Sequence, residues 1–172
     1  MLNRILNEEF EIFKRNAADK SISCEIVAGH VVQSVMTGED GHKLCFLLGT
    51  ILEDYLMIRK KPDQVLFGPV DFRLNEQSEV YRNGVIRASG AEQIPKFIVE
   101  VLSDGNEIYD CLDKAVMYGK SGVKEYWLID LKEEFIYTYS YRNGFDYRRY
   151  SFEQNIRSRC YPGFECCISD IL

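Results

Sequence analysis

The sequence predicts an α/β protein in which helices cover both sides of a mixed β-sheet, with an extra N-terminal helix and β-hairpins. Two runs rich in apolar residues, 97–102 and 126–131, are typical of strands that are covered on both faces. A helical pattern connects these runs, and another lies upstream at residues 42–56. Strands of this type need a helical layer on each side, which gives the predicted architecture.

Residues 1–20 are predicted to form an amphipathic helical extension to the domain. Charges of both signs lie among its apolar residues, which favours packing on the domain or on a partner subunit over a membrane surface. The apolar positions near helical spacing are Leu2, Ile5, Leu6, Phe10 and Phe13. Residues 21–172 are predicted to form a single domain, because a chain of 172 residues can bury one sizeable core.

Turn residues predict where the remaining elements begin and end. Gly29 indicates a hairpin within residues 24–35, and the sequence Arg-Asn-Gly at 142–144 indicates another between two C-terminal strands. Residues 65–74 are predicted to form one strand, bent at 68–69, and residues 79–87 another, interrupted at Asn-Gly. Gly122 is expected to end the helix that follows residue 102.

Composition and charge exclude several classes of protein. The net charge of −6 argues against a general nucleic-acid coating protein, although it leaves room for a local basic cleft. No apolar stretch approaches the length of a membrane span, so no membrane partner is expected. The six cysteines lack Cys-x-x-Cys spacing, which gives zinc little support, and a charged N-terminus favours a reducing cytoplasmic location.

Glu100 is the most informative residue, because it lies in the middle of the apolar run FIVEVL. A buried carboxylate is costly unless it is paired or bound to a cation. Lys114, on the following helix, can approach it. Two interpretations stay open here: a metal site that contains Glu100, and a buried ion pair of Glu100 with Lys114 without metal. Lys114 can instead pair with Asp110, four residues earlier on a solvated helix face.

Three motifs in succession resemble those of a bacterial nuclease family. They are IVEVLS at 98–103, the spacing of Asp110, Lys114 and Tyr118, and GVKEYWLID at 122–130. The chain resembles the helix-lysine branch of the PD-(D/E)XK superfamily, whose fold is restriction-endonuclease-like. The resemblance covers about residues 24–172, and its central motif is specific.

The resemblance implies a DNA endonuclease that uses Mg²⁺ or Mn²⁺ to hydrolyse phosphodiester bonds. Glu100 and an aspartate from a Pro-Asp pair would hold the metal, since oxygen ligands suit these hard cations. The superfamily lysine usually lies two residues after the glutamate, where this chain has Leu102, and Lys114 is expected to replace it. DNA is the implied partner, and a homodimer is expected because two copies can span a duplex.

The chain departs from the family pattern at the Pro-Asp pair. Asn83 aligns with the aspartate, and its neutral oxygen would weaken metal binding; alternatively, Asn83 belongs to an Asn-Gly turn. Asp71 is a further candidate metal ligand, because its strand is expected in the same sheet, although a surface charge near Arg73 also fits. The departure supports an alternative function, an inactive nuclease-fold module that binds DNA or protein.

Two more residues are candidates for the cleft. Glu25 lies in the weaker upstream match to the family, and His42 lies at the predicted start of the first long helix. For Glu25 the competing interpretation is a charge at a strand edge. For His42 it is a surface or capping residue.

Overall fold

The structure is a computed structural model. It describes residues 8, 10–12, 15, 22–27, 30–35, 38–67, 70–75, 78–82, 85–89, 94–102 and 108–172. Among these residues, no helix is both long enough and apolar enough to cross a membrane.

Strands dominate the described part of the chain. In chain order they are β1 (Ile22–Val27), β2 (His30–Val35), β3 (Gln64–Phe67), β4 (Val70–Asn75), β5 (Ser78–Arg82), β6 (Val85–Ser89), β7 (Phe97–Leu102), β8 (Glu125–Asp130), β9 (Phe135–Ser140), β10 (Asp146–Ser151), β11 (Ile156–Arg157) and β12 (Glu165–Cys166). The helices are α1 (Glu39–Ile58), α2 (Ile108–Ser121) and a short 3₁₀ helix (Ile168–Asp170).

A six-stranded sheet forms the centre of the fold, in the order β10-β9-β8-β7-β6-β3. Its β7 and β8 run parallel, and its other neighbouring strands run antiparallel, so the sheet is mixed as predicted. The parallel pair requires a crossover, which α2 provides. In this register Glu100 of β7 lies between Val85 of β6 and Leu128 of β8.

Helices cover both faces of this sheet, which confirms the predicted layering. Because side chains alternate along a strand, Val99 of β7 faces α1, whereas Ile98 faces α2. The core under α1 includes Leu48 and Trp127. The core under α2 includes Ala115, Met117, Tyr118, Tyr126 and Leu128.

Residues 65–74 and 79–87 were each predicted to form one strand, and that prediction was wrong, because each range contains two strands that belong to different sheets. A second sheet has four strands in the order β2-β1-β5-β4. It contains β4 from the first predicted strand and β5 from the second, while β3 and β6 belong to the central sheet. Gly-Pro at 68–69 and Asn-Gly at 83–84 separate the segments in sequence, and such residues interrupt a strand ladder. Both dipeptides lie outside the described residues.

Helix and turn limits agree closely with the sequence pattern. The first long helix begins at Glu39, three residues before its predicted start. Gly122 and Gly144 have φ of 98° and 97°, as expected for a helix stop and a hairpin turn. At the N-terminus, residues 8, 10–12 and 15 are helical and Phe10 is buried, whereas the domain boundary at residue 20 stays a prediction.

Candidate active site

Glu100 lies in the middle of β7 and is fully buried, with an exposed fraction of 0%. Its neighbours Val99 and Val101 pack under α1, so the alternation of the strand directs Glu100 toward α2. Lys114 and Tyr118 lie four residues apart on α2 and therefore share the helix face above the sheet. The fold thus brings Glu100 and Lys114 together, as the sequence predicted.

Among the residues that the structure describes, three side chains donate hydrogen bonds to the Glu100 carboxylate. The ammonium of Lys114 donates to Oε2 at 3.3 Å, and the hydroxyl of Tyr126 donates to the same oxygen at 3.1 Å. The hydroxyl of Tyr118 donates to Oε1. Lys114 is only 3% exposed and both tyrosines are fully buried. We call these four residues the Glu100 cluster.

Glu100 and Lys114 form a buried ion pair. A buried ion pair is tolerated when further hydrogen bonds satisfy the remaining lone pairs and protons. Tyr118 and Tyr126 supply such bonds, and donors to a carboxylate favour its ionised form. Lys114 therefore does not lie on a solvated helix face, the location that its alternative pairing with Asp110 assumed.

Three further predicted site residues lie on elements other than those of the Glu100 cluster. His42 is exposed in the first turn of α1. Glu25 lies on β1 and Asp71 on β4, both in the four-stranded sheet. The expectation that Asp71 shares the sheet of Glu100 was wrong, because β4 pairs with β5 and that strand belongs to the other sheet.

Asn83 lies outside the described residues, so its role as a metal ligand stays a prediction. Strand β6 begins two positions later, at Val85, which is the residue paired with Glu100. The position that aligns with the family aspartate therefore lies in sequence just before β6, the strand whose first residue pairs with Glu100.

The tyrosines of the cluster were not predicted as site residues. Tyr118 and Tyr126 appeared only as members of the motifs. Both are in the core, but their hydroxyls reach Glu100. A sequence signal existed, since a buried carboxylate requires donors and Tyr118 follows Lys114 by one helical turn.

Glu125 is a second buried carboxylate, and its partners are entirely different. Its Oε2 accepts hydrogen bonds from Ser158 Oγ at 2.7 Å and from the backbone N–H groups of Arg159 and Cys160 at 2.9 and 2.7 Å. Its Oε1 accepts from Trp127 Nε1 at 2.8 Å. The motif glutamate at the start of β8 therefore anchors the C-terminal segment to the sheet.

Asp130 ends the same strand and organises the following turn. Its Oδ1 accepts hydrogen bonds from the backbone N–H groups of Lys132 and Glu133 at 3.0 and 3.1 Å. This is the local capping pattern that aspartate often adopts at turns. Within the described part of the chain, no group of three or more His, Cys, Asp and Glu residues is placed to hold a metal ion.

The mixed sheet between two helices defines the class of protein. The fold is restriction-endonuclease-like: it matches a crystal structure from Anabaena variabilis ATCC 29413, titled a "putative nuclease belonging to DUF820", with a TM-score of 0.71. The match covers 86% of this chain and 88% of that chain at 12% sequence identity. At this low sequence identity, the match shows only that the two proteins share a fold.

The chain belongs to the Uma2 family, whose description is "Putative restriction endonuclease". The family model matches residues 8–169, which is nearly the whole chain. The resemblance drawn from the motifs at 98–103 and 122–130 is thereby confirmed. No curated protein matches the chain.

Proposed function

We propose that this protein is a metal-dependent DNA endonuclease that hydrolyses phosphodiester bonds at the Glu100 cluster. The observation that carries the proposal is the contact of Lys114 with Glu100 on a central strand, at the positions that the family pattern assigns to its lysine and its glutamate. Family membership supports the reaction class. The buried position of the pair supports a site in which electrostatic interactions are strong.

The proposed metal is Mg²⁺ or Mn²⁺, and the residues fit it in kind. Glu100 offers carboxylate oxygens, the ligand type that these cations prefer. Asn83, which aligns with the family aspartate, is the proposed further ligand. Asp71 stays a candidate ligand because its strand β4 contacts α2, although β4 belongs to the other sheet. A bound metal of this type lowers the pKa of a water and offsets phosphate charge.

Each residue of the cluster has a proposed task. Tyr118 holds Oε1 of Glu100, and this bond fixes the orientation of the carboxylate. Lys114 donates to Oε2, and its proposed task is to bind a phosphate oxygen of the substrate through its ammonium. Tyr126 donates to the same oxygen and limits the rotation of the carboxylate when Lys114 turns toward the substrate.

A cleavage assay tests this proposal. Supercoiled plasmid is incubated with the protein in Mg²⁺, in Mn²⁺ and in EDTA, and nicked and linear products are counted. We expect wild type to cleave with metal, and Glu100→Gln and Lys114→Met to lose at least about 100-fold in rate. Glu133→Gln, the same change at an exposed site, controls for the substitution. Equal cleavage by wild type and Glu100→Gln rejects the proposal.

A second candidate function is an inactive nuclease-fold module that binds DNA or protein. The observation that favours it is that three donors among the described residues already bind the Glu100 carboxylate. The asparagine at position 83 favours it as well, because it removes a negative ligand. This candidate predicts no cleavage with either metal, together with binding that survives Glu100→Ala.

We also propose that the protein works as a homodimer in the cytoplasm. Two copies related by a twofold axis match the symmetry of a DNA duplex. Sedimentation velocity at micromolar concentration checks the oligomeric state. Because one chain has a mass of 20.0 kDa, a species of about 40 kDa supports the homodimer, and a single species of 20.0 kDa contradicts it.

A further inference from the structure

A groove lies at one end of the six-stranded sheet, apart from the Glu100 cluster. It consists of two cavities of about 370 and 380 Å³ that share Arg142. We call it the Arg142 groove. Its charged lining residues are Lys96, Lys124, Arg142, Asp146 and Arg159.

The topology of the sheet explains why cations collect here. Lys96 directly precedes β7 and Lys124 directly precedes β8, so the parallel pair brings both to the same end. The antiparallel β9 ends there too, and Arg142 follows it by two residues. Glu100 lies four residues along β7 from Lys96, about 13 Å at the usual rise of a strand.

Acidic residues form ion pairs with some cations of the groove but not with all of them. Asp63 accepts from Lys96 at 2.8 Å, and Asp146 contacts Arg159 at 2.8 Å and Arg148 at 3.3 Å. Neither Lys124 nor Arg142 forms an ion pair with any residue that the structure describes. The groove therefore presents two cations to solvent on a chain whose net charge is −6.

Tyr141 gives the groove a fixed wall. Its ring lies against Gly119 of α2 so closely that a Cβ at this glycine would be 2.6 Å from the ring. Its hydroxyl donates to the backbone carbonyl of Ala115 at 2.5 Å, and burial raises its pKa. The hydroxyl therefore stays protonated and bonded, which holds the ring in place.

An exposed aromatic ring lies next to this wall. Phe145, in the turn between β9 and β10, is 65% exposed. Its ring centroid is 6.1 Å from that of Tyr141 and 6.1 Å from that of Tyr139, so one half-buried and one buried ring support it from one side. Cations beside an exposed aromatic ring are the combination that single-stranded nucleic acids bind, through phosphates and stacked bases.

We propose that the Arg142 groove binds a single-stranded segment of nucleic acid. Lys124 and Arg142 contact its phosphates, and Phe145 stacks on an unpaired base. A base within a duplex is already stacked on both sides, so the ring selects unpaired strands. The choice of nucleic acid as ligand rests on the proposed function, but binding in the groove does not depend on cleavage.

Fluorescence anisotropy in EDTA tests the groove without any metal chemistry. A labelled single-stranded 12-mer and its duplex are titrated with wild type, the double variant Lys124→Ala/Arg142→Ala, and Lys132→Ala. Lys132 is an exposed lysine beyond the opposite end of β8, so it is the charge control. We expect the double variant to reduce the salt dependence of log Kd by about 1.4, since each single-strand phosphate contact contributes about 0.7. If the double variant reduces the salt dependence of log Kd no more than Lys132→Ala does, the proposal is overturned.

The stacking step has its own pair of variants. Phe145→Ala is expected to weaken single-strand binding by about 5-fold or more. Phe46→Ala removes an equally large ring that is 56% exposed on α1, and it should leave binding unchanged. Equal effects of the two variants on single-strand binding overturn the proposal. The groove variants leave Glu100 and Lys114 in place and binding is measured in EDTA, so failure of the groove and failure of metal-dependent cleavage can be told apart.

Discussion

The ammonium nitrogen of Lys114 lies 3.3 Å from Oε2 of Glu100, and neither side chain has meaningful access to solvent. One residue comes from the centre of β7 and the other from the middle of α2. Their opposite charges compensate each other where water cannot. The two charges are therefore expected to contribute to stability as a pair.

Lys114→Met and Glu100→Gln are each predicted to lower the free energy of unfolding by about 3–5 kcal/mol. Lys114→Met removes the ammonium that contacts the buried Glu100 carboxylate, and Glu100→Gln removes the charge that contacts the buried Lys114 ammonium. The double variant should cost less than the sum of the two, because it removes both charges of the contact together. Urea unfolding followed by circular dichroism measures all three values.

Lys120→Met is the matched control, since Lys120 is exposed on the same helix. It is expected to change the free energy of unfolding by less than about 0.5 kcal/mol. A cost for Lys114→Met no larger than that of the control would contradict the pairing.

Tyr118→Phe and Tyr126→Phe are each predicted to lower the free energy of unfolding by about 1.5–3 kcal/mol. Each change removes a hydroxyl that donates to an ionised carboxylate and leaves the ring in place. Tyr147→Phe removes a hydroxyl from a side chain that is 47% exposed and should be nearly neutral. Thermal unfolding of the three variants decides the matter; equal midpoints would show that the two buried hydroxyls do not stabilise Glu100.

Glu125→Ala is predicted to loosen the C-terminal segment. The change removes the oxygen that accepts from Ser158 Oγ and from two backbone N–H groups, so all three bonds are lost. Hydrogen exchange at the amides of Arg159 and Cys160 should become faster by about 10-fold or more, equivalent to about 1.4 kcal/mol. Glu133→Ala should leave both rates unchanged, and unchanged rates in Glu125→Ala would refute the anchoring role.

Stability is predicted to fall as the pH rises from about 9 toward 12. Burial raises the pKa of the thiols of Cys160 and Cys166 to about 12, from an ordinary value of 9.0. In this window the unfolded chain releases protons that the folded chain keeps, so each thiol lowers the free energy of unfolding by at most about 1.4 kcal/mol per pH unit.

The pH dependence is measured by urea unfolding at intervals from pH 8 to pH 11. Cys160→Ala and Cys166→Ala should each make the decline less steep, because each removes one titrating group. A decline of the same steepness in both variants would assign the effect to other residues.

Part of the candidate site could be predicted from sequence because its signals are local. A carboxylate within an apolar strand requires a partner, and the lysine on the next helix supplied one. Tyr126 shows the limit: an aromatic residue in a buried strand indicates core, and only the packing of α2 on the sheet shows which way its hydroxyl points. Glu125 shows a second limit, because the three donors to its Oε2 lie 33 to 35 residues away in the sequence.

The limits of the fold prediction have a similar cause. Alternation along residues 65–74 and 79–87 identified extended chain, and the structure has strands there. Which sheet each segment joins depends on its pairing partners, such as β1 for β5 and β7 for β6. Pairing is a property of the tertiary structure, so Asp71 was assigned to the wrong sheet.

Calorimetric titration with Mn²⁺ tests most directly whether Glu100 is part of a metal centre. The measurement compares wild type with Glu100→Gln, and with Asn83→Asp as the variant that restores the carboxylate of the family pattern. We expect wild type to bind Mn²⁺, Glu100→Gln to lose at least about 10-fold in affinity, and Asn83→Asp to gain affinity. Binding that is identical in wild type and Glu100→Gln, or absent from wild type and Asn83→Asp alike, would contradict a metal centre at Glu100.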